Sequence, residues 1–234
     1  MAYLTWSIIF GIIWLILYVN RPDLRSEIIF ASLLFMPFGL TQPLFVPEYW
    51  NPIVLFQLFG FFDVESMIWC FFTGGIVAVL YEEIFRMKMV NIKNNQNTRY
   101  HRYLTYVFMI LAVIFLILIN EFTTFSVLWS LLILIIFGFI YFAYCRHDLI
   151  KKSLISGVLF TIIYVVSLLF VNFIFPEFTT DQWNIGGSIG IRYFSIVIEE
   201  YFYAFLFGIF WSVVYEEIKN IKLTALKRQR TLLS

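Results

Sequence analysis

Long apolar runs alternate along the chain with short polar interruptions. Seven runs stand out, at about 3–20, 27–46, 62–81, 103–120, 124–144, 153–175 and 194–215. As a helix rising about 1.5 Å per residue, each can cross a hydrocarbon core of about 30 Å. The pattern therefore predicts an all-α polytopic membrane protein with seven transmembrane helices. Pro37 and Pro43 interrupt the second run, which membrane helices tolerate where neighbours satisfy the freed backbone groups. The first run has no basic n-region and no small-residue cleavage site, so it reads as a retained helix rather than a signal peptide.

The polar interruptions repeat. Trp6-Ser7 opens helix 1 and Trp129-Ser130 lies near the start of helix 5. Arg21-Pro22-Asp23-Leu24 follows helix 1, and Arg146-His147-Asp148-Leu149 follows helix 5. Pro47-Glu48-Tyr49-Trp50-Asn51 follows helix 2; Pro176-Glu177 and then Trp183-Asn184 follow helix 6. A constant offset of 134 residues carries Glu65 onto Glu199, Gly74 onto Gly208 and Tyr81 onto Tyr215. Ordered landmarks of this kind predict a 3+1+3 internal repeat: residues 1–86, a loop and connector helix over 87–120, a second unit over 121–219 and a basic tail over 220–234. One connecting helix makes both units cross in the same sense, as parallel repeats about an axis along the membrane normal.

Composition agrees with the pattern: 62% hydrophobic, 21% aromatic and 13% charged residues, with mean hydropathy +0.87. The net charge of +1 hides an asymmetry, because 15 of the 16 basic residues fall on one side of the predicted topology, Arg192 being the exception. The positive-inside rule then places the N-terminus outside and the C-terminus in the cytoplasm of a multi-pass cell-membrane protein. The tail Lys227-Arg228-Gln229-Arg230 reads as an anchor beside anionic lipid rather than a nucleic-acid site. Cys70 and Cys145 lack CxxC spacing and suggest neither a disulfide nor a metal site. His101 and His147 fall in the loops and read as solvated residues rather than ligands.

An ionisable residue within an apolar span is costly enough to be a functional candidate. Glu65 is followed by Trp69 and Phe72 on the same helical face; Glu199 shares a face with Tyr203, and Glu200 with Phe207. Apolar burial disfavours an ionised carboxylate, so such a group can serve as an acid. Aromatic faces stabilise a cation. Together they equip a site to protonate an alkene and steer the carbocation. The competing reading is that these acids bond between helices, for roughly 0.6 kcal/mol per contact. Glu82-Glu83 and Glu216-Glu217 lie 17 residues beyond Glu65 and Glu199, or about 26 Å along a helix. With Arg86, Lys88 and Lys219 close by, these pairs read as interfacial ion pairs. Trp50 and Trp183 are belt residues or a lid over a site in the outer leaflet. Gly186-Gly187-Ser188-Ile189-Gly190 has the wrong spacing for a dinucleotide fingerprint and reads as a flexible connection.

Taken together, Glu65-Ser66-Met67-Ile68-Trp69-Cys70-Phe71-Phe72, Glu199-Glu200-Tyr201-Phe202-Tyr203 and the preceding Trp-Asn pairs resemble the lycopene cyclase domain family of the heterodimeric or fused type. That family often places a proline two residues before its acid, where this chain has Asp63 in one unit and Val197 in the other. The resemblance implies a carotenoid cyclase-like isomerase. It would form a ring on a linear polyene by acid and base catalysis through a carbocation, without redox change and without a cofactor. Glu65, Glu199 and Glu200 are then the candidate catalytic residues. Trp69, Phe72, Phe202, Tyr203, Trp50 and Trp183 are the substrate-binding candidates. The partners implied are the bilayer and a hydrophobic polyene, not nucleic acid; a homo-oligomer is left open. Other classes fit less well. A proton or ion carrier finds only Thr73 between Ser66 and Tyr81, and helix 7 has no interior lysine for a retinal Schiff base. A glutamic membrane protease would need histidines inside its helices. The remaining alternative is a non-catalytic polyene-binding or scaffold protein of the same fold.

Overall fold

The computed structural model describes residues 1–58, 62–91, 96–184 and 189–225. The glycines of the expected flexible connection at 186 and 187, and the basic tail beyond 225, lie outside the described residues. The molecule is mostly helical. Six helical segments are long and apolar enough to cross a membrane: Ala2–Asn20, Pro22–Leu44, Val64–Phe85, Arg102–Phe122, Val127–Cys145 and His147–Ile174. They contain α1 (Ala2–Asn20), α2 (Arg25–Phe35), α3 (Val64–Phe85), α4 (Gln96–Phe122), α5 (Val127–Cys145) and α6 (Ile150–Ile174). After Phe35 the second segment tightens into a 3-10 helix over Met36–Leu44, which takes up Pro37 and Pro43.

The apolar run expected at 194–215 forms two helices, α8 (Ile198–Trp211) and α9 (Val214–Lys219), which follow the short α7 (Phe178–Gln182). Neither is long enough to span alone. Between them Ser212 and Val213 form a turn, with Val213 at φ −110 and ψ −4. Residues 194–197 are not helical either. Strands β4 (Arg192–Tyr193) and β5 (Ile196–Val197) form a hairpin. Its two turn residues, Phe194 and Ser195, have φ of 50 and 66, the left-handed pair that a tight hairpin with native twist requires. Ahead of α3, β1 (Gln57–Leu58) pairs with β2 (Phe62–Asp63). Each hairpin feeds directly into its helix and so fixes where the first turn begins. Asp63 caps α3 by accepting the Ser66 N–H at 2.5 Å.

Both ends of the bundle are tied by antiparallel backbone pairing. At one end β3 (Met87–Asn91) pairs with β6 (Ile221–Ala225), with Met89 opposite Leu223. At the other, Trp50 bridges Trp183; Asn51 N–H donates to Gln182 C=O and Asn184 N–H to Tyr49 C=O, both at 2.8 Å.

Glycine sets the closest helix crossings. A Cβ on Gly74 of α3 would lie 2.9 Å from the Ala31 carbonyl of α2, and one on Gly208 of α8 would lie 2.8 Å from Gly157 Cα of α6. Small residues let membrane helices approach this closely. Gly208→Leu should therefore cost about 1–3 kcal/mol through overpacking, read as a lower unfolding temperature in detergent. An unchanged temperature would show that the crossing is not tight.

The end of the bundle carrying β3 and β6 holds a buried ionic cluster. Lys152 of α6 is 2% exposed. Its Nζ lies 2.7 Å from Glu82 and 3.4 Å from Glu27, contacts Glu216, and donates to the Ala78 carbonyl at 2.9 Å. From the sequence, Glu82 and Glu216 read as members of interfacial ion pairs. Instead Glu27, Glu82 and Glu216 converge from α2, α3 and α9 on one ammonium. Glu83 does pair with Arg86, at 3.3 Å, and also with Arg21 at 2.8 Å. Glu217 pairs with Arg146 at 3.5 Å. Lys219 instead lies over the Phe30 ring.

Arg21 and Arg146 also close the helices they face. Arg21 donates to the carbonyls of Glu82 and Met87; Arg146 donates to those of Glu216 and Ile221. Glu82 and Glu216 lie in the last turns of α3 and α9, and Met87 and Ile221 begin the strands that follow, so each arginine ties a helix end to its strand. Burial opposes the Arg146 charge, but Asp148 outweighs it and holds the guanidinium above its usual range.

Candidate functional site

A cavity of about 210 Å³ opens inside the helices, walled by α1, α3, α4, α5, α6, α8 and the 3-10 segment. Its wall is almost wholly apolar and rich in aromatic rings, as in many pockets for apolar ligands. Trp6 is part of that wall. It makes tilted or edge-on contacts with Tyr3, Phe10, Trp69, Tyr164, Phe178 and Trp183, at centroid separations of 5.2–6.4 Å, the arrangement ring quadrupoles favour. Its own N–H donates to Ser167 at 2.8 Å.

One carboxyl group lines this cavity among the described residues, that of Glu200. The β4–β5 hairpin places it in the first turn of α8, where the positive end of the helix dipole favours a carboxylate. Both of its oxygens are occupied. Tyr49 O–H and Trp183 Nε1–H donate to Oε1 at 2.5 and 2.7 Å, and Tyr164 O–H donates to Oε2. These donors come from three places: the loop after the 3-10 segment, the residue after α7, and the middle of α6. Burial, and then the charge of Glu200, push the Tyr49 phenol well above its ordinary value. Tyr49 therefore stays a proton-bearing donor.

The corresponding position in the first unit, Ser66, also lines the cavity, but it pairs with the Tyr3 hydroxyl at 2.8 Å. The cavity thus has an acidic pole and a neutral polar one. The other two expected acids are buried but do not line it. Glu65 Oε2 accepts the Leu55 N–H at 2.9 Å, and Glu199 Oε1 accepts the Ile189 N–H at 2.5 Å. Each fastens a carboxylate to backbone ten residues earlier, in the segment that leads into its own helix.

Among the aromatic candidates, Trp50, Trp69, Trp183 and Tyr203 line the cavity. Trp50 and Trp183 stand 5.4 Å apart at its end, beside Glu200. Phe72 packs on Trp14 and Phe71 outside the cavity, and Phe202 is 49% exposed on the outer face of α8. Helical spacing from Glu65 selected Phe72, and the family resemblance selected Phe202, whereas the cavity lies on the Glu200 side of α8. Residue spacing missed Tyr3, Trp6 and Tyr164. Tyr49 lay within a noted motif, but its position suggested a belt residue. No local signal marks Tyr164, which reaches Glu200 only once α6 and α8 are packed.

Residues 124–218 match the family model described as lycopene cyclase. No curated protein and no solved structure matches the chain. The matched stretch contains Glu200, Tyr164 and Trp183, three of the four residues that build the acidic pole. The resemblance carried by the sequence is thus supported by a family-model match over residues 124–218, less than half of the chain.

Proposed function

We propose that the protein is a carotenoid cyclase-like membrane isomerase and that Glu200 exchanges the proton in ring formation. The observation that carries this reading is the placement of Glu200 as the carboxyl of an aromatic cavity, with both oxygens held by hydrogen-bond donors. The substrate is a linear polyene taken from the bilayer with one end group in the cavity. Glu200, protonated on Oε2 with the Tyr164 hydroxyl turned so that it no longer donates to that oxygen, gives its proton to the terminal double bond and leaves a tertiary cation. A neighbouring double bond attacks that cation; a carbon–carbon bond closes the ring and the positive charge moves into it. The carboxylate then removes a proton from the adjacent ring carbon, which restores the double bond and the protonated acid. One proton enters and one leaves, so the product is an isomer and no electron donor or acceptor is consumed.

The ring faces of Trp69, Tyr203 and Trp183 stabilise the transient cation. Tyr49, Tyr164 and Trp183 fix the carboxyl so that little reorganisation is needed at the moment of transfer. Glu65 and Glu199 hold the segments that shape the pole. The single acid, with Ser66 opposite, serves one end of a polyene at a time.

The architecture assigned to this site is the seven-helix 3+1+3 repeat, with α8 and α9 together as the seventh crossing. Units 1–86 and 121–219 are joined by the connector over 87–120. Several pairings support it. Glu65 and Glu199 accept N–H groups at equal spacing; Gly74 and Gly208 make equivalent crossings; Arg21 and Arg146 close equivalent helices. The β3–β6 pairing joins the segments after α3 and α9, and the Trp50–Trp183 bridge joins the segments before α3 and α8, as a twofold relation would require. The Arg-rich end is assigned to the cytoplasm and Glu200 to the outer leaflet.

Expression in cells that accumulate lycopene, with pigments separated by chromatography, tests the reading. Cyclised carotene should replace lycopene. Lycopene retained by the inserted protein, yet unchanged, would instead support a non-catalytic polyene-binding role.

A further inference from the structure

The cavity does not end at its aromatic wall. A second apolar groove lies on the outward side of α4 and α5, and three residues line both spaces: Phe108 and Ala112 of α4 and Leu134 of α5. The groove continues along α4 past Leu111, Ile114 and Leu118, which are 57%, 46% and 49% exposed. Ala112 is the smallest of the shared residues, so its side chain blocks the least of the wall between cavity and groove. It lies ten residues before the end of α4 at Phe122, about 15 Å along the helix axis, near the middle of the span.

We infer that the seam between α4 and α5 at Ala112 is the passage for the polyene tail, with the end group beside Glu200 and the rest of the chain leading out into the groove. This rests on the function proposed above and adds how the substrate is held. A long, thin, apolar molecule is accepted because only its end must fit inside. A substrate with a bulky or charged middle is excluded at the seam. The second end of a symmetric polyene stays in the lipid while the first reacts, so two rings require release and re-entry.

Binding and turnover separate the possible outcomes. The chain carrying Glu200→Gln, which keeps the size of the acid, is expected to co-purify with lycopene from accumulating cells. Adding Ala112→Trp should lower the bound pigment per protein about tenfold, as overpacking by roughly 1.4 kcal/mol or more would. Leu134→Trp should do the same from the opposite side of the seam. Ile110→Trp, on a face of α4 that is 61% exposed, should leave the pigment unchanged and shows that tryptophan on this helix is tolerated. Pigment retained in full by both Ala112→Trp and Leu134→Trp would overturn the seam, whether or not the wild-type chain forms rings. Pigment lost through the seam variants, with no ring formed by the wild type, would keep the seam and remove the cyclase reading.

Discussion

Glu200→Gln should abolish ring formation, lowering turnover by about 10²–10⁴-fold, the usual worth of a positioned general acid–base. The amide keeps the size of the carboxyl; its oxygen can still accept from Tyr49 and Trp183, and its NH2 can donate to the Tyr164 oxygen, so the fold should persist. Glu65→Gln and Glu199→Gln keep an acceptor oxygen for Leu55 and Ile189 and should reduce turnover no more than about tenfold, the effect of a slightly displaced site. Pigment analysis at matched levels of inserted protein reads all three. A Glu200→Gln variant as active as wild type would move the chemistry to another group. Loss confined to Glu65→Gln or Glu199→Gln would return it to the acids on the loop-facing side.

Lys152→Met should be the most destabilising single change in the chain. It leaves Glu27, Glu82 and Glu216, each fully buried, around a position that has lost its cation. Removing one partner of a buried ionic group costs about 3–5 kcal/mol. The expected result is loss of monodisperse protein in detergent or a sharply lower unfolding temperature. Glu27 and Lys152 each lie six residues beyond the arginine that follows helix 1 or helix 5, so the two units place opposite charges at matching positions. Glu27→Lys combined with Lys152→Glu should therefore recover much of the stability that either single change loses, a coupling that a double-mutant cycle measures directly. Purely additive losses would contradict the paired arrangement.

The membrane class, six of the helical segments and the candidate acids follow from period and charge in the chain itself. Arg21-Pro22-Asp23 and Arg146-His147-Asp148 were visible as matched landmarks, because a charged residue at the end of an apolar run stands out. Their work was not visible: the carbonyls they satisfy lie 61–75 residues away in sequence. Lys152 was hidden for the opposite reason. Next to Lys151 and a polar turn it looks like part of a basic loop, and only the packing of α2, α3, α6 and α9 shows that it is enclosed. Glu200 was visible as one of three candidate acids, but choosing among them depends on helix phase. Starting α8 at Ile198, behind a hairpin turn, sends adjacent glutamates in different directions. Glu199 meets backbone, and Glu200 meets the cavity.

The central claim is that Glu200 turns an aromatic cavity into an acid–base site for a polyene end group. Purified wild-type and Glu200→Gln proteins in lycopene-loaded liposomes, with no nucleotide or redox partner added, test it most directly by chromatography coupled to mass measurement. The account predicts a cyclic product of unchanged mass from the wild type, monocyclic before bicyclic, and none above background from Glu200→Gln. Equal product from both proteins, or a product whose mass differs from lycopene, would contradict it.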